Sequence, residues 1–429
     1  MTIRDDPTST HQPTHTRSVG CVFFREALAA QLAEAFAHAP AKPTPQPVWV
    51  VRNYLDREYL REVLGLARGY GVKTVCLADG YFDWPAQIVA GSAAMDLVAD
   101  IAADFARHGI EPALMLPTAD QVRELGECVE RQVGPIRLVA QEAVTVVDAA
   151  CEHTGWCALP HVDTEAVARS IAALRAANAS EVLVAIDHSG RPCLQTPSWI
   201  NVFGVTFLAF RPDASAKQAM RAATDAVFGD TADPMRTALV KAGEAVNRLF
   251  TVMGTMRVTD RSAWPREMAF FDRQLEADAP PDGIDETLWR EHRASLSHPT
   301  AQTILQVDLE KIEGLERAYE AMDLLEAAKD WLGTEKFLWM EHYFQRLKAV
   351  GLVLRRLSAA AMSLRGAAVG SCGMGIGTLR AKLRELEEAA ASQQAIVGEM
   401  PTPNRRANSD RLRRFIEDGR RRVDELALR

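Results

Sequence analysis

The densest group of reactive side chains in this sequence is Val144–His161, VTVVDAACEHTGWCALPH, which holds Asp148, Cys151, Glu152, His153, Cys157 and His161. Hydrolysis of a glycosidic bond needs two carboxyl groups flanking the scissile oxygen, one to donate a proton and one to activate water or attack the ring. Glu152 suits such a pair. It follows the apolar run VTVVD, which reads as a strand, and the loop after a parallel strand is where barrel enzymes collect their catalytic groups. A solvated loop carboxylate is the plainer reading of the same residue. Trp156, Trp199 and Phe203 are candidates to stack on a sugar ring, although core packing is the commoner use of such rings.

Cys151, His153, Cys157 and His161 also supply four zinc-ligand types within eleven residues, with His188 and Cys193 further on. Their spacings, C-x5-C and H-x7-H, match no zinc knuckle or ribbon. Small buried cysteines and a loop histidine account for them, so neither a metal nor another cofactor is expected. The run Gly370–Gly377, GSCGMGIG, imitates a phosphate loop, but helix rather than strand precedes it, which makes it a helix–helix connection. The arginines between Arg405 and Arg422 alternate with Glu417, Asp418, Asp424 and Glu425, the pattern of a solvated helix face.

The elements that must position these groups follow from composition and periodicity. The chain has 429 residues, 48% hydrophobic and 25% charged, which permits two or three domains with a large core. A net charge of −8 argues against nucleic acid or an anionic membrane as the main partner. No run of about eighteen apolar residues occurs, the N-terminus lacks a secretory pattern, and seven dispersed cysteines make no disulfide framework. A cytoplasmic protein is expected.

Residues 1–45 read as a disordered tail, an amphipathic helix with Leu28, Leu32 and Phe36 on one stripe, and a Pro-rich linker. Residues 46–212 alternate strand and helix: VWVV, KTVCLA, EPALML, VTVVD and EVLVAID are strands, with a short sixth at Ile136–Ala140. That rhythm predicts a parallel sheet with helices outside it. A complete eight-stranded barrel takes about 250 residues, and Val48–Phe210 spans only 163. The expected fold is therefore α/β, an incomplete (β/α) TIM-barrel-like unit, followed by an all-α domain of five to seven helices over residues 213–429.

Two motifs carry a resemblance. Cys151-Glu152-His153-Thr154-Gly155 is similar to the Gln-Glu-Tyr-Leu/Thr-Gly strand ending of glycoside hydrolase family 67, the α-glucuronidases. Asn201, Phe203, Leu208, Ala209, Phe210, Pro212 and Ser215 match the spacing of that family's N-W-Y-A-F-G-R-L-A-W-D/N-P-x-L-S. The resemblance covers Val48–Leu116 loosely and Val144–Arg365 better. It implies that Glu152 is the general base and that a carbohydrate, glucuronic-acid-bearing or neutral, is the ligand. Trp156, Trp199 and Asn201 then become substrate-binding candidates. The stretch that would carry the family's general acid has no counterpart between Leu116 and Val144, and Thr206 and Phe207 stand where the family has Gly and Arg.

Three functions follow: a glycosidase-like hydrolase, a non-catalytic carbohydrate-binding or assembly module of the same origin, and a metal-dependent hydrolase using the 151–161 loop. The partners expected are a carbohydrate, no nucleic acid and no membrane. A barrel lacking strands has free edges, so the helical domain is expected to pack on it and the chain to form a homodimer.

Overall fold

The computed structural model describes residues 27, 28, 30, 45–54, 56–78, 92–124, 126, 136–151, 159–188, 191–192, 196–260, 263–281, 284–397 and 405–428. Six runs form β1 (Gln46–Val51), β2 (Thr74–Leu77), β3 (Glu111–Leu116), β4 (Arg137–Ala140), β5 (Val146–Asp148) and β6 (Glu181–Ala185). All six are parallel, in the order β4-β3-β2-β1-β6-β5. In a closed eight-stranded barrel the last strand returns beside the first. Here β6 takes that place and β5 the one before it, while the two positions between β4 and β5 are missing. The result is a curled half-barrel, as the short span of the strand–helix rhythm requires.

The curl has a visible cause and a visible consequence. Alternate residues point inward, and several of them are small: Cys76, Ala78 and Ala113 meet Val48, Val139 and Leu183 in a core of their own. Burial pushes the Cys76 thiol up to about 12, so it is an inert wall atom. At the N-terminal end of the sheet, Arg137 of β4 forms a two-pronged ion pair with Glu181 of β6, although β3, β2 and β1 lie between them in the sheet. Only a strongly curved sheet brings those two strands face to face. The 3-10 turn Gln141–Ala143 carries the chain from one edge to the other, closed by Val144 N–H donating to Gln141 O at 3.3 Å. Val144 caps that turn and Thr145 follows it, so of the strand expected at Val144–Asp148 only Val146–Asp148 forms β5.

Helices α1 (Arg57–Gly69), α2 (Ser92–His108), α3 (Thr164–Ala176) and α4 (Trp199–Phe210) complete the half-barrel. Asp56 caps α1 by accepting from Tyr59 N–H at 3.0 Å, and Asp163 caps α3 by accepting from Ala166 N–H at 2.8 Å. Helix α4 was not legible from periodicity, because all of its residues are buried and no polar face marks a helical repeat. Thr206 and Phe207 serve its packing: Thr206 Oγ1 accepts from Trp49 Nε1 at 3.3 Å, and Phe207 stacks on Phe203 with centroids 5.4 Å apart.

From Ala216 onward the described residues are almost wholly helical: α5 (Ala216–Phe228), α6 (Ala232–Phe250), α7 (Ala269–Glu276), α8 (Glu286–Ser297), α9 (Ala301–Ala327), α10 (Lys329–Leu332), α11 (Thr334–Ala368), α12 (Ile376–Val397) and α13 (Arg405–Ala427). Nine helices among the described residues replace the expected five to seven. The excess comes from short pieces such as α7 and α10, whose one or two turns are too brief for a periodic signal. The run Gly370–Gly377 links α11 to α12, as expected, with its last two residues opening α12. The helical part and the half-barrel share one apolar core. At Gly243 of α6 a Cβ would sit 2.6 Å from Val162 O, so only glycine permits that approach. Leu28 of the N-terminal stripe is buried in the same core, and Leu32 and Phe36 lie outside the described residues. No helix among the described residues is long and apolar enough to cross a membrane.

Candidate functional site

The C-terminal ends of β1, β5 and β6 meet at one rim. Asp148, the last residue of β5, pairs with Ala185 of β6 and is exposed. Two residues beyond Ala185, Asp187 is fully buried and draws in the end of β1. Its carboxylate accepts from Arg52 N–H at 2.7 Å, Asn53 N–H at 2.9 Å and Asn53 Nδ2 at 3.1 Å. Burial nevertheless pushes its pKa up from 3.8 to about 6, against the lowering effect of those donors. On the far side of the half-barrel Glu142 accepts from Ala119 N–H at 2.7 Å.

After β5 the chain turns tightly. Ala149 N–H donates to Val147 O at 3.0 Å and Ala150 N–H to Ala185 O at 3.0 Å. Cys151 then adopts a left-handed φ of 56°, unusual for a residue with a Cβ. Asn201 holds that turn to the start of α3. Its Nδ2 donates to Cys151 Sγ at 3.3 Å and to His161 O at 2.8 Å, and its Oδ1 accepts from Asp163 N–H at 2.9 Å. The amide joins three chain segments, and sequence position alone gave no sign of this.

A cavity of about 350 Å³ opens beside this junction, on the outer side of β5. Its walls come from Val147, Val167 of α3, Phe250 of α6 and Ile284, with Asp148, His161, Asp163, Asn247, Arg257 and Thr259 among its polar groups, so it is continuous with the rim at Asp148. Arg257 and Thr259 are carried by a ribbon, Thr251–Val252 paired antiparallel with Met256–Arg257. Two latches hold the ribbon. Gln274 Oε1 accepts from Arg257 N–H at 2.8 Å while its Nε2 donates to Arg257 O at 3.1 Å, and Glu310 accepts from Met253 N–H at 3.0 Å.

His161 is buried in the cavity wall. Burial drives it down from 6.5 to about 4, opposed by nearby Asp163 and by a hydrogen bond with Asn247, so it is neutral at pH 7. His161 and Asp187 therefore oppose each other in pH dependence. Between about pH 4 and 6.5 the unfolded chain holds a proton on His161 that the folded chain lacks, so this contribution is complete above 6.5 and is lost as pH falls. Between about pH 4 and 6 the folded chain holds a proton on Asp187 that the unfolded chain lacks, so stability is lost as pH rises. Each shift corresponds to roughly 3 kcal/mol. Relative to the parent, His161→Gln should lose stability as pH rises across this window, and Asp187→Asn should gain it. Urea unfolding at the two ends of the window checks this, and parallel profiles for parent and variants would refute it.

Of the residues singled out from sequence, Glu152 and Trp156 lie outside the described residues, as do His153, Cys157 and Cys193. Asn201 is at the junction just described. Trp199 lies in the core, wholly buried, donating from Nε1 to Tyr70 Oη at 2.9 Å and packed edge-on against Trp49 at 5.4 Å. That is the packing role weighed against sugar stacking. Among the described residues no group of three or more His, Cys, Asp or Glu side chains is arranged to hold a metal. Asp187 and the cavity were missed, because their partners are remote in sequence.

No protein-family model matches the chain, and no curated protein matches it. Among solved structures, it aligns with one described as a "GH138 enzyme targeting pectin rhamnogalacturonan II", at 9% identity and a TM-score of 0.42. The alignment covers 87% of this chain and 51% of that one, so the chain spans about half of that protein's length.

Proposed function

We propose that this chain is a glycoside-hydrolase-like protein that takes a carbohydrate at the C-terminal rim of its half-barrel, with Glu152 as the base. The observation that carries the reading is the exposed carboxylate of Asp148 at the last position of β5, beside the buried Asp187, on the rim where barrel enzymes do their chemistry. Asp148 and Glu152 together supply the two carboxyl groups that glycoside hydrolysis requires. Asp187 is a positioning residue, since it clamps β1 to β6 and is closed to solvent. Trp156 is the stacking surface in this proposal, with Asn201 shaping the loop that presents it. The family resemblance adds a glucuronic-acid-bearing sugar as the finer form of the ligand.

The test is hydrolysis of 4-nitrophenyl glycosides, including the glucuronide, by the full chain and by Asp148→Asn. Turnover in the parent that falls at least about tenfold in the variant supports the pair. Turnover unchanged in Asp148→Asn removes that residue from the site.

One observation favours the non-catalytic form of the reading. Glu142 is committed to Ala119 N–H and Asp187 to the end of β1, so two rim carboxylates have structural duties. A parent that binds these glycosides without cleaving them selects the binding module. The homodimer is part of the same proposal. Light scattering should give about twice the 47.2 kDa of one chain, and a mass of one chain would mean that the half-barrel is sealed from within.

A further inference from the structure

One face of α9 packs on α6 and α11, and the opposite face carries a row of large apolar side chains in water. Leu305 is 57% exposed, Leu309 48% and Tyr319 41%, with Ile312 half-buried among them. From Leu305 the steps to Leu309, Ile312 and Tyr319 are four, three and seven residues, the heptad spacing by which one helix receives another. Gln302 and Glu316 fill the remaining positions of that seam. We infer that the seam pairs with the same seam of a second copy of this chain, antiparallel and about a two-fold axis. The inference rests on the homodimer proposed above and assigns its surface.

The surface is two helices wide. Helix α11 runs antiparallel beside α9, tied to it by Arg355 donating to both oxygens of Asp308 at 2.7 and 3.0 Å and by Lys348 lying 5.0 Å over the Tyr319 ring. Between these two ties Ile312 stands level with the half-buried Leu352 of α11, which widens the apolar strip. Exposed leucines scattered singly need no explanation, whereas a continuous row rimmed by charges marks an interaction surface.

Charge selects the occupant and its direction. From Glu313 to Glu326 the helix holds five acidic residues against Arg317 alone. Toward its N-terminus the field reverses, since Arg355, Lys382 and Arg356 all act on Asp308. A parallel copy would set acid against acid, with Glu316 facing Glu316. Reversal sets the acidic half of each helix against the basic end of the other and opposes the two helix dipoles. In the antiparallel register centred between Leu309 and Ile312, Leu309 faces Ile312 of the partner subunit, Gln302 faces Tyr319 of the partner subunit, and Leu305 faces Glu316 of the partner subunit. A single charged residue in such a seam fixes orientation at some cost in affinity. Glu316 is exposed and forms no ion pair among the described residues, so its carboxylate is available for that role.

The experiment measures the mass of the full chain by light scattering across a dilution series. The parent should dimerise, and Leu305→Glu combined with Leu309→Glu should raise the dissociation constant at least about a hundredfold. Both side chains are exposed in the single chain, so the far-ultraviolet circular dichroism should not change. Leu305→Lys tests the direction, because it places an ammonium opposite Glu316 of the partner subunit. Its dimer should be about tenfold tighter than that of Leu305→Glu at low salt, with the difference fading at about 0.5 M salt. Equal weakening by lysine and glutamate would overturn the antiparallel register. A dimer that persists in the double variant would overturn the surface and leave the homodimer standing, and a parent that stays a single chain at about 100 μM would overturn both. Glycoside binding and turnover should be the same in parent and variants, so failure of the rim reading leaves this one intact.

Discussion

Glu152→Gln is expected to lower glycoside turnover by about 10²–10⁴-fold, the usual range for a positioned acid or base, with the melting temperature nearly unchanged. The substitution keeps the size of the side chain and one carbonyl oxygen but removes the ionised oxygen that takes a proton. Its effect therefore falls on the rate at saturating substrate more than on binding. A pH profile sharpens the result. The parent's acid limb should vanish in the variant, because the group that must be ionised is gone. Equal turnover in parent and variant would take Glu152 out of the site and leave Asp148 without its partner.

Lys311→Met should cost about 3–5 kcal/mol, the range for removing one member of a buried charge pair. Lys311 is completely buried, and its ammonium donates to Arg248 O and Thr251 O at the end of α6 and to Glu310 Oε2 at 3.0 Å. Two carbonyls that α6 cannot satisfy itself thus receive a charged donor, and Glu310, which holds Met253 N–H, keeps its counter-charge. Burial lowers the Lys311 pKa, with Glu310 opposing the shift. Methionine fills the same volume, leaves the two carbonyls without their charged donor and strips Glu310 of its counter-charge. Urea unfolding measures the loss, and a cost below about 1 kcal/mol would mean that water replaces the ammonium. A second effect is local. With the ribbon loosened, Arg257 and Thr259 lose their places in the cavity wall.

Sequence patterning revealed the elements whose environment is uniform along one face. VWVV, EPALML and EVLVAID are continuous apolar runs because parallel strands are covered on both sides, and Asp56 marks its helix by capping chemistry. The elements that escaped are those whose neighbours are distant. Trp199–Phe210 lacks a polar stripe. The ribbon turn has Met253 at φ 49° and Gly254 at φ 63°, and methionine is no turn signal. Lys311, amid the charges of α9, reads as a surface residue and is a core one. At the site, Asp148, Cys151 and His161 were legible as members of one cluster of reactive side chains. The clamp by Asp187 was not, since Arg52 and Asn53 precede it by 135 and 134 positions.

That long reach governs how the half-barrel assembles. Strands β1 to β4 pair in the order in which they are synthesised, each to the one before. The other side of β1 receives β6, whose Glu181 pairs with Gln46. Until β6 leaves the ribosome, β1 shows a row of unpaired N–H and C=O groups to every other nascent chain. Docking of β6 must also overcome a large loop-closure entropy, which makes it the slow step of folding. Fragments ending before Glu181 should therefore aggregate, whereas a circular permutant that begins at the helix before β6 should fold faster than the natural order.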